Sequence, residues 1–335
     1  MINHLPLQKN WQTQLSEAIT SVDELLDLLQ LDQQSLPIAF PKRFGLRVPK
    51  DFVNKMQKGD ANDPLLRQVL PTVDETIVPN GYVLDPLSES HYNPIKGLLH
   101  KYESRVLLTV TGACAIHCRY CFRQHFDYGA NLPSSQEKQA VIDYIICCPE
   151  VNEVILSGGD PLNLSNRRLF DWLDCLEAIE NISTIRLHTR LPVVLPARID
   201  EALLNRLANS RCQIVMVIHC NHANEIDANT QRYLEALKQV GVTLLNQTVL
   251  LVGINDNAET QVALSQRLFA AGVLPYYLHV LDKVAGAAHF DCSEAAAIEL
   301  YWQLLAKLPG YLVPKLVREL PDKPYKTPIN IYKVD

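Results

Sequence analysis

Arg105-Val-Leu-Leu-Thr-Val-Thr-Gly-Ala-Cys-Ala-Ile-His-Cys-Arg-Tyr-Cys121 is the stretch on which the reading of this chain turns. Its first half, 105–111, is a short run rich in β-branched and apolar residues, the mark of a strand. Its second half brings Cys114, Cys118 and Cys121 within eight residues, in a loop that leaves that strand. Thiolates so close together can converge on one metal centre, and soft sulfur ligands favour zinc or iron–sulfur over hard cations. A structural zinc site closes on four ligands, usually as two paired knuckles. No second Cys-x-x-Cys appears further along the chain, and His117 is too near in sequence to swing easily onto the same ion. A four-iron cluster with three protein thiolates leaves one iron open to another molecule.

Outward from this stretch the chain keeps one rhythm. Short β-rich runs at 154–157, 185–188, 214–219, 243–247 and 276–279 follow the first strand. Amphipathic segments lie between them. One opens on Ser134-Ser-Gln-Glu137, a capping-box pattern, and continues through Val141, Tyr144 and Ile145. Another carries Leu169, Leu173, Leu176 and Ile179 on one face. Strands alternating with helices predict an α/β fold built of βα units around a parallel sheet. Near-continuous apolar strands such as Ile214-Val-Met-Val-Ile218 suit a sheet covered on both faces. Six units are too few for a closed eight-fold barrel, so a partial barrel and an open doubly wound sheet both remain. Either architecture sets its site at the C-terminal ends of the strands.

The first hundred residues differ. Leu15, Ile19, Val22, Leu25, Leu26 and Leu29 predict one amphipathic helix, and Pro37, Pro41 and Pro49 break regularity beyond it. The expected organisation is a mainly helical region over 1–98, a barrel over 99–290 and a closing segment over 291–335.

Composition bounds the partners. The 335 residues are 47% hydrophobic and 20% charged, ordinary for a soluble globular protein. A net charge of −6 argues against general nucleic-acid or membrane-surface binding. The start, Met1-Ile-Asn-His-Leu-Pro-Leu-Gln-Lys9, has no apolar signal core, and no apolar run is long enough to span a bilayer. A cytoplasmic location with reduced thiols is expected. Of the nine cysteines, Cys147, Cys148, Cys175, Cys212, Cys220 and Cys292 are scattered and read as small buried hydrophobes.

The Cys-x-x-x-Cys-x-x-Cys spacing, with Tyr120 before the last cysteine, resembles the radical S-adenosylmethionine superfamily. The resemblance implies a partial (β/α)6 TIM-like barrel, a [4Fe–4S] cluster on Cys114, Cys118 and Cys121, and S-adenosylmethionine chelating the open iron. Reduction then yields a 5′-deoxyadenosyl radical. Ser157, Gly158, Gly159 and Asp160 resemble the element that holds the methionine part of that cofactor, where glycines let the backbone come close. His219 and Gln247 resemble further contacts to it.

Asp85-Pro-Leu-Ser-Glu89, Gly97-Leu-Leu-His-Lys-Tyr-Glu-Ser-Arg105-Val, Ser157-Gly-Gly-Asp-Pro, Asn246-Gln-Thr-Val-Leu-Leu and Lys326-Thr-Pro narrow the resemblance to the lysine 2,3-aminomutase family, from about residue 60 to the end. That family implies pyridoxal 5′-phosphate anchored on Lys326, with Lys323 as a competitor. It assigns Lys101, Tyr102 and Arg105 to the phosphate, Arg123 to the substrate carboxylate, and Asp282 and Glu319 to a side-chain ammonium. Three departures stand out: Lys101 replaces an arginine, Glu319 an aspartate, and Asp322-Lys-Pro-Tyr325 a glycine run. Paired acids suit a cationic amino acid by charge complementarity. The implied reaction converts L-lysine to (R)-β-lysine. Pro275-Tyr-Tyr-Leu-His-Val-Leu-Asp-Lys-Val-Ala-Gly-Ala-Ala-His-Phe290 resembles the branch that supplies an elongation factor P ligase. A reductant such as flavodoxin or ferredoxin is implied too. The competing readings are an aminomutase for another cationic amino acid such as arginine, and a non-catalytic iron–sulfur sensor or electron carrier, which would have no use for Lys326.

Overall fold

The computed structural model describes residues 10–39 and 44–332; Met1 to Lys9 and Pro41 lie outside them. Its frame is one nine-stranded sheet whose spatial order is the chain order. The strands are β1 (Leu98–Tyr102), β2 (Arg105–Thr111), β3 (Glu153–Gly158), β4 (Thr184–Thr189), β5 (Gln213–His219), β6 (Thr243–Val249), β7 (Leu274–His279), β8 (Lys315–Arg318) and β9 (Thr327–Pro328). Each of β2 to β7 pairs in parallel with the next, while β1 and β9 add antiparallel edges. Among the described residues β1 and β9 do not pair, so the barrel stays open along one side. The six units expected from periodicity are β2 to β7 with their helices, and the architecture is the partial barrel.

Three strands carry no clear signal in the sequence. β8 is four residues long with a cation at each end, and β9 is a Thr-Pro pair. Neither shows an alternating pattern, and proline belongs on an edge because it has no N–H to give the ladder. β1 owes its place to Tyr102↔Arg105, the tight end of its hairpin with β2. The extra strands matter, since β1, β8 and the segment before β9 carry Lys101, Glu319 and Lys326 to one mouth.

Helices Ser135–Ile146, Asn166–Glu177, Glu201–Ala208, Ala228–Gln239, Ala258–Ala270 and Glu294–Lys307 cover the sheet. Ser134 and Glu137 form the reciprocal capping box that their spacing predicts. Leu169, Leu173 and Leu176 are buried, although the helix stops at Glu177 and Ile179 packs from the turn beyond it. Near the start, the single expected helix is two, Trp11–Ser16 and Val22–Leu29. The cause is local: Ser21 accepts from the Glu24 N–H and begins a new helix. Ile19, in the gap, exchanges backbone hydrogen bonds with Val48 instead. Apolar residues from Trp11 to Val273 form one continuous core, so the N-terminal region, whose α-helices are Trp11–Ser16, Val22–Leu29 and Lys50–Val53, shares an interior with the barrel. Leu278, Leu300, Leu304 and Leu316 belong to a second core under the closing segment.

All nine cysteines are unpaired, but only Cys212 and Cys220 of the six scattered ones are buried. Cys147 is exposed because it is the residue on which helix Ser135–Ile146 ends. No helix among the described residues is long and apolar enough to cross a membrane.

Candidate active site at the mouth of the barrel

The three clustered cysteines leave the C-terminal end of β2, and all are partly exposed. Their loop is clamped by the N-terminal region. The Arg47 carbonyl accepts from the His117 N–H, and the Gln68 carbonyl accepts from the Arg119 N–H. Arg119, 1% exposed, donates to both carboxylate oxygens of Glu75 and to the Phe44 carbonyl at 2.6 Å. His117 hydrogen-bonds the Gly45 carbonyl at 2.7 Å and stacks on Phe44, so it turns away from the thiols. The thiols feel one another. Burial and then Cys121 push Cys114 well above its ordinary value, and burial and then Cys118 push Cys121 up to about 12. Among the described residues no group of three or more His, Cys, Asp or Glu is gathered for a single metal ion. A cubane asks for something else, one thiolate on each of three irons.

Facing the loop is the turn that ends β3. Gly158 has φ +115°, and a Cβ there would lie 2.4 Å from the Thr111 carbonyl oxygen; at Gly159 it would lie 2.5 Å from that of Ala113. The close approach lets the Gly159 N–H donate to Thr111 at 2.7 Å and the Asp160 N–H to Ala113 at 3.0 Å. The Asp160 carboxylate is buried, and burial raises it to about 6. It accepts from the Thr189 hydroxyl and from the Arg190 and Leu162 N–H groups, which ties the turn to β4. Ser157 lies beneath, its Oγ 3.2 Å from Arg123 Nη1. His219 and Gln247 are register partners at the ends of β5 and β6. Tyr120 hydroxyl and His219 Nε2 are 2.8 Å apart, and burial and then Arg190 lower the imidazole to about 3, so it is neutral. The donor set therefore fits a three-thiolate cluster with a glycine-lined cradle beside its open side.

A second group of residues gathers around Glu319, just past β8. Its Oε1 accepts from Lys101 Nζ at 2.8 Å and from the Tyr102 hydroxyl at 3.0 Å, and its Oε2 from Lys326 Nζ at 2.9 Å. Burial alone would raise Glu319, but Lys326 and Lys101 hold it below the usual carboxylate range. Arg105 lies over the Tyr102 ring at 4.0 Å, not against Glu103, and Lys326 sits 5.7 Å from the Tyr277 ring centre. Lys323 points outward and pairs with its exposed neighbour Asp322 at 3.3 Å. Asp282 belongs to the same field: burial lifts its carboxyl to about 7, against the pull of Lys326. A half-buried lysine amine beside a cationic, tyrosine-lined wall fits an aldehyde cofactor bearing a phosphate.

Arg123 is fully engaged here. Glu89 takes its Nε at 2.9 Å and its Nη2 at 2.5 Å, in the forked geometry that a substrate carboxylate would also use. Glu89, Arg190 and His188 are site residues that sequence reasoning misses. Glu89 stands inside the Asp85-Pro-Leu-Ser-Glu motif, and His188 and Arg190 stand at the end of β4, which are the signals that could find them. Burial, then Arg186, Lys326 and Arg123, push His188 far down, so it is a neutral ring that feels the cations of the site.

A half-open parallel barrel with a three-cysteine loop after its first parallel strand and a glycine cradle after the next is the scaffold of a radical S-adenosylmethionine enzyme. Residues 103–186 match the family model described as a 4Fe-4S single cluster domain. Three relatives are described as L-lysine 2,3-aminomutases. That of Escherichia coli (strain K12) is 50% identical over 97% of this chain and 96% of its own. That of Haemophilus influenzae is 45% identical over 96% and 95%, and that of Clostridium subterminale 33% over 96% and 77%. A radical SAM methyltransferase structure from Sphaerobacter thermophilus, 18% identical, overlays 66% of this chain and 68% of its own at a TM-score of 0.46. The chain belongs to the L-lysine 2,3-aminomutase family. It is an isomerase of that family, with a [4Fe–4S] cluster and S-adenosylmethionine among its cofactors.

Proposed function

We propose that this enzyme converts L-lysine to (R)-β-lysine with pyridoxal 5′-phosphate on Lys326, and that the product supplies a ligase acting on elongation factor P. The observation that carries the reading is the convergence of Lys326, Lys101, Tyr102 and Asp282 around Glu319. When bound, the cluster and S-adenosylmethionine supply a carbon radical and pyridoxal phosphate an electron sink that carries nitrogen between neighbouring carbons. The rest is the work of the chain.

Cys114, Cys118 and Cys121 hold the cluster. Ser157, Gly158, Gly159, Asp160, His219 and Gln247 line the nucleoside cofactor's side. Glu319 accepts a hydrogen bond from Lys326 Nζ and keeps Lys101 and Tyr102 turned towards the phosphate, with Arg105 behind them. Arg123 takes the substrate carboxylate in exchange for Glu89. Asp282, with no cation at hydrogen-bond distance among the described residues, takes the side-chain ammonium, and desolvation strengthens that pair. The described residues of 1–98 cover the cluster loop, 99–290 carry both nucleoside and substrate contacts, and the described residues of 291–335 bring the cofactor lysine. The chemistry requires reduced thiols and a low-potential donor such as flavodoxin or ferredoxin, which suits the cytoplasm.

The test is anaerobic incubation of reconstituted enzyme with S-adenosylmethionine, a reductant and L-lysine, followed by chiral analysis. (R)-β-Lysine should form with the parent chain and not with Lys326→Ala, which should also lack the visible band of lysine-bound pyridoxal phosphate. No product from a parent chain with intact cluster, with L-arginine turned over instead, would overturn the choice of substrate. Elongation factor P from cells lacking this gene should lose the mass of one β-lysyl group; unchanged mass would sink the downstream role.

A further inference from the structure

The buried guanidinium of Arg190 has no part in that chemistry. It follows directly on β4 and is 5% exposed. Its Nη1 lies 2.7 Å from Cys118 Sγ. Its Nη2 donates to Gln68 Oε1 at 2.6 Å and to Glu225 Oε2 at 3.0 Å. Gln68 is locked in turn, its Oε1 also accepting from Asn221 Nδ2 at 3.1 Å and the Tyr120 hydroxyl at 3.2 Å. Glu225, 0% exposed, takes two backbone N–H groups, of Asn221 at 2.9 Å and His222 at 3.1 Å. Lys55 donates to the Glu225 carbonyl at 2.9 Å, and its charge also acts on the carboxylate. Both terminal nitrogens are thus engaged and Nη1 is aimed at one sulfur, while Nε has no partner among the described residues; Phe52 and Tyr120 flank the guanidinium at 5.2 and 5.9 Å.

We propose that Arg190 and Glu225 set the reduction potential of the cluster held by Cys118, Arg190 raising it and Glu225 restraining that rise. The proposal rests on the reading of Cys118 as a cluster ligand. A thiolate bound to iron keeps lone pairs that accept hydrogen bonds, and such bonds, together with local charge and solvent exposure, tune cluster potentials. A cation donating to the sulfur withdraws negative charge and favours the state with one more electron. Away from water its influence is weakly screened. Glu225 carries the opposite charge on the far side of the same guanidinium and offsets part of the effect. The step affected is one-electron transfer from an external low-potential donor to the oxidised cluster, with no bond made or broken. Arg190 is a positioning and tuning residue, since it reaches the iron only through Cys118.

The experiment is a potentiometric titration of the reconstituted full chain, followed by electron paramagnetic resonance without S-adenosylmethionine. Parent, Arg190→Gln, Arg190→Lys and Glu225→Gln proteins are compared at equal iron and sulfide content. Arg190→Gln should lower the ratio of reduced to oxidised cluster at a fixed potential by roughly tenfold, about 59 mV for a one-electron couple. Glu225→Gln should raise it, and Arg190→Lys should fall between parent and Arg190→Gln. Opposite signs separate tuning from loosened packing, which would move both variants the same way. Potentials equal to the parent, or shifts of one sign, overturn the proposal. Should Arg190→Gln lose its cluster, the direction of the Glu225→Gln shift decides alone. Cys118→Ala tests the premise separately: a complete four-iron cluster in that variant refutes the ligand reading and leaves the network without a target.

Discussion

Asp282 is the residue whose surroundings say most about the substrate. Two cations, Lys326 and Lys101, pull its carboxyl down, while burial, Glu319 and Glu89 push harder and leave it at about 7. A carboxyl so balanced is neutral on the acid side of 7 and anionic above it. A cationic substrate needs the anion, so kcat/KM for lysine should rise with pH through about 7, since that ratio reports the free enzyme's ionisations. Asp282→Asn should abolish that rise and cost about 1.5–3 kcal/mol of binding, roughly a ten- to hundredfold fall in kcat/KM. A rate profile for the variant that keeps the same limb would assign the ionisation elsewhere. Glu319, by contrast, is held down by Lys326 and Lys101, so it stays anionic in that range and adds no limb of its own.

At the scale of elements, the β2 loop and the β3 turn are one device. The carbonyls of Thr111 and Ala113 pass within bonding distance of the Gly159 and Asp160 N–H groups because no Cβ stands between them. Gly159→Ala would force a methyl group against Ala113 and push the Cys114 loop outward. Overpacking of this kind costs about 1–3 kcal/mol. The expected readout is less iron per chain after anaerobic reconstitution, with a lower urea midpoint. Full iron loading with an unchanged midpoint would show that the loop yields freely. Asp160 belongs to the same device, because its carboxylate is spent on Thr189, Arg190 and Leu162 rather than left open.

For the whole molecule, the cluster loop is held between the barrel and an N-terminal region that shares the barrel's core. The Arg119–Glu75 pair spans that boundary with side chains 2% and 11% exposed. Breaking a buried pair strands a charge, so Glu75→Ala should lower the unfolding free energy by about 3–5 kcal/mol. A loss no larger than an exposed pair gives, about 0–1 kcal/mol, would show that the region packs without this tether. Chemical denaturation of the metal-free protein measures the difference directly.

Much of this architecture is legible in local chemistry. Cys114, Cys118 and Cys121 are close in sequence and follow a strand, so spacing and periodicity suffice to foresee a cluster loop, while the glycine cradle beside it follows from the likeness to the superfamily. Six parallel units follow from alternating strands and helices, and Lys326 follows from family likeness. Tertiary structure alone decided the rest. Glu319 meets Lys101 across more than two hundred residues because β1, one edge strand, and β8, next to the other, belong to an incompletely closed sheet that curves them together. Arg190 reaches Cys118, and Glu89 reaches Arg123, through contacts that no periodicity encodes. The three-cysteine loop is a matter of sequence; the guanidinium beside its middle thiol is not. Charges are paired by distance in space, and only the folded sheet sets that distance.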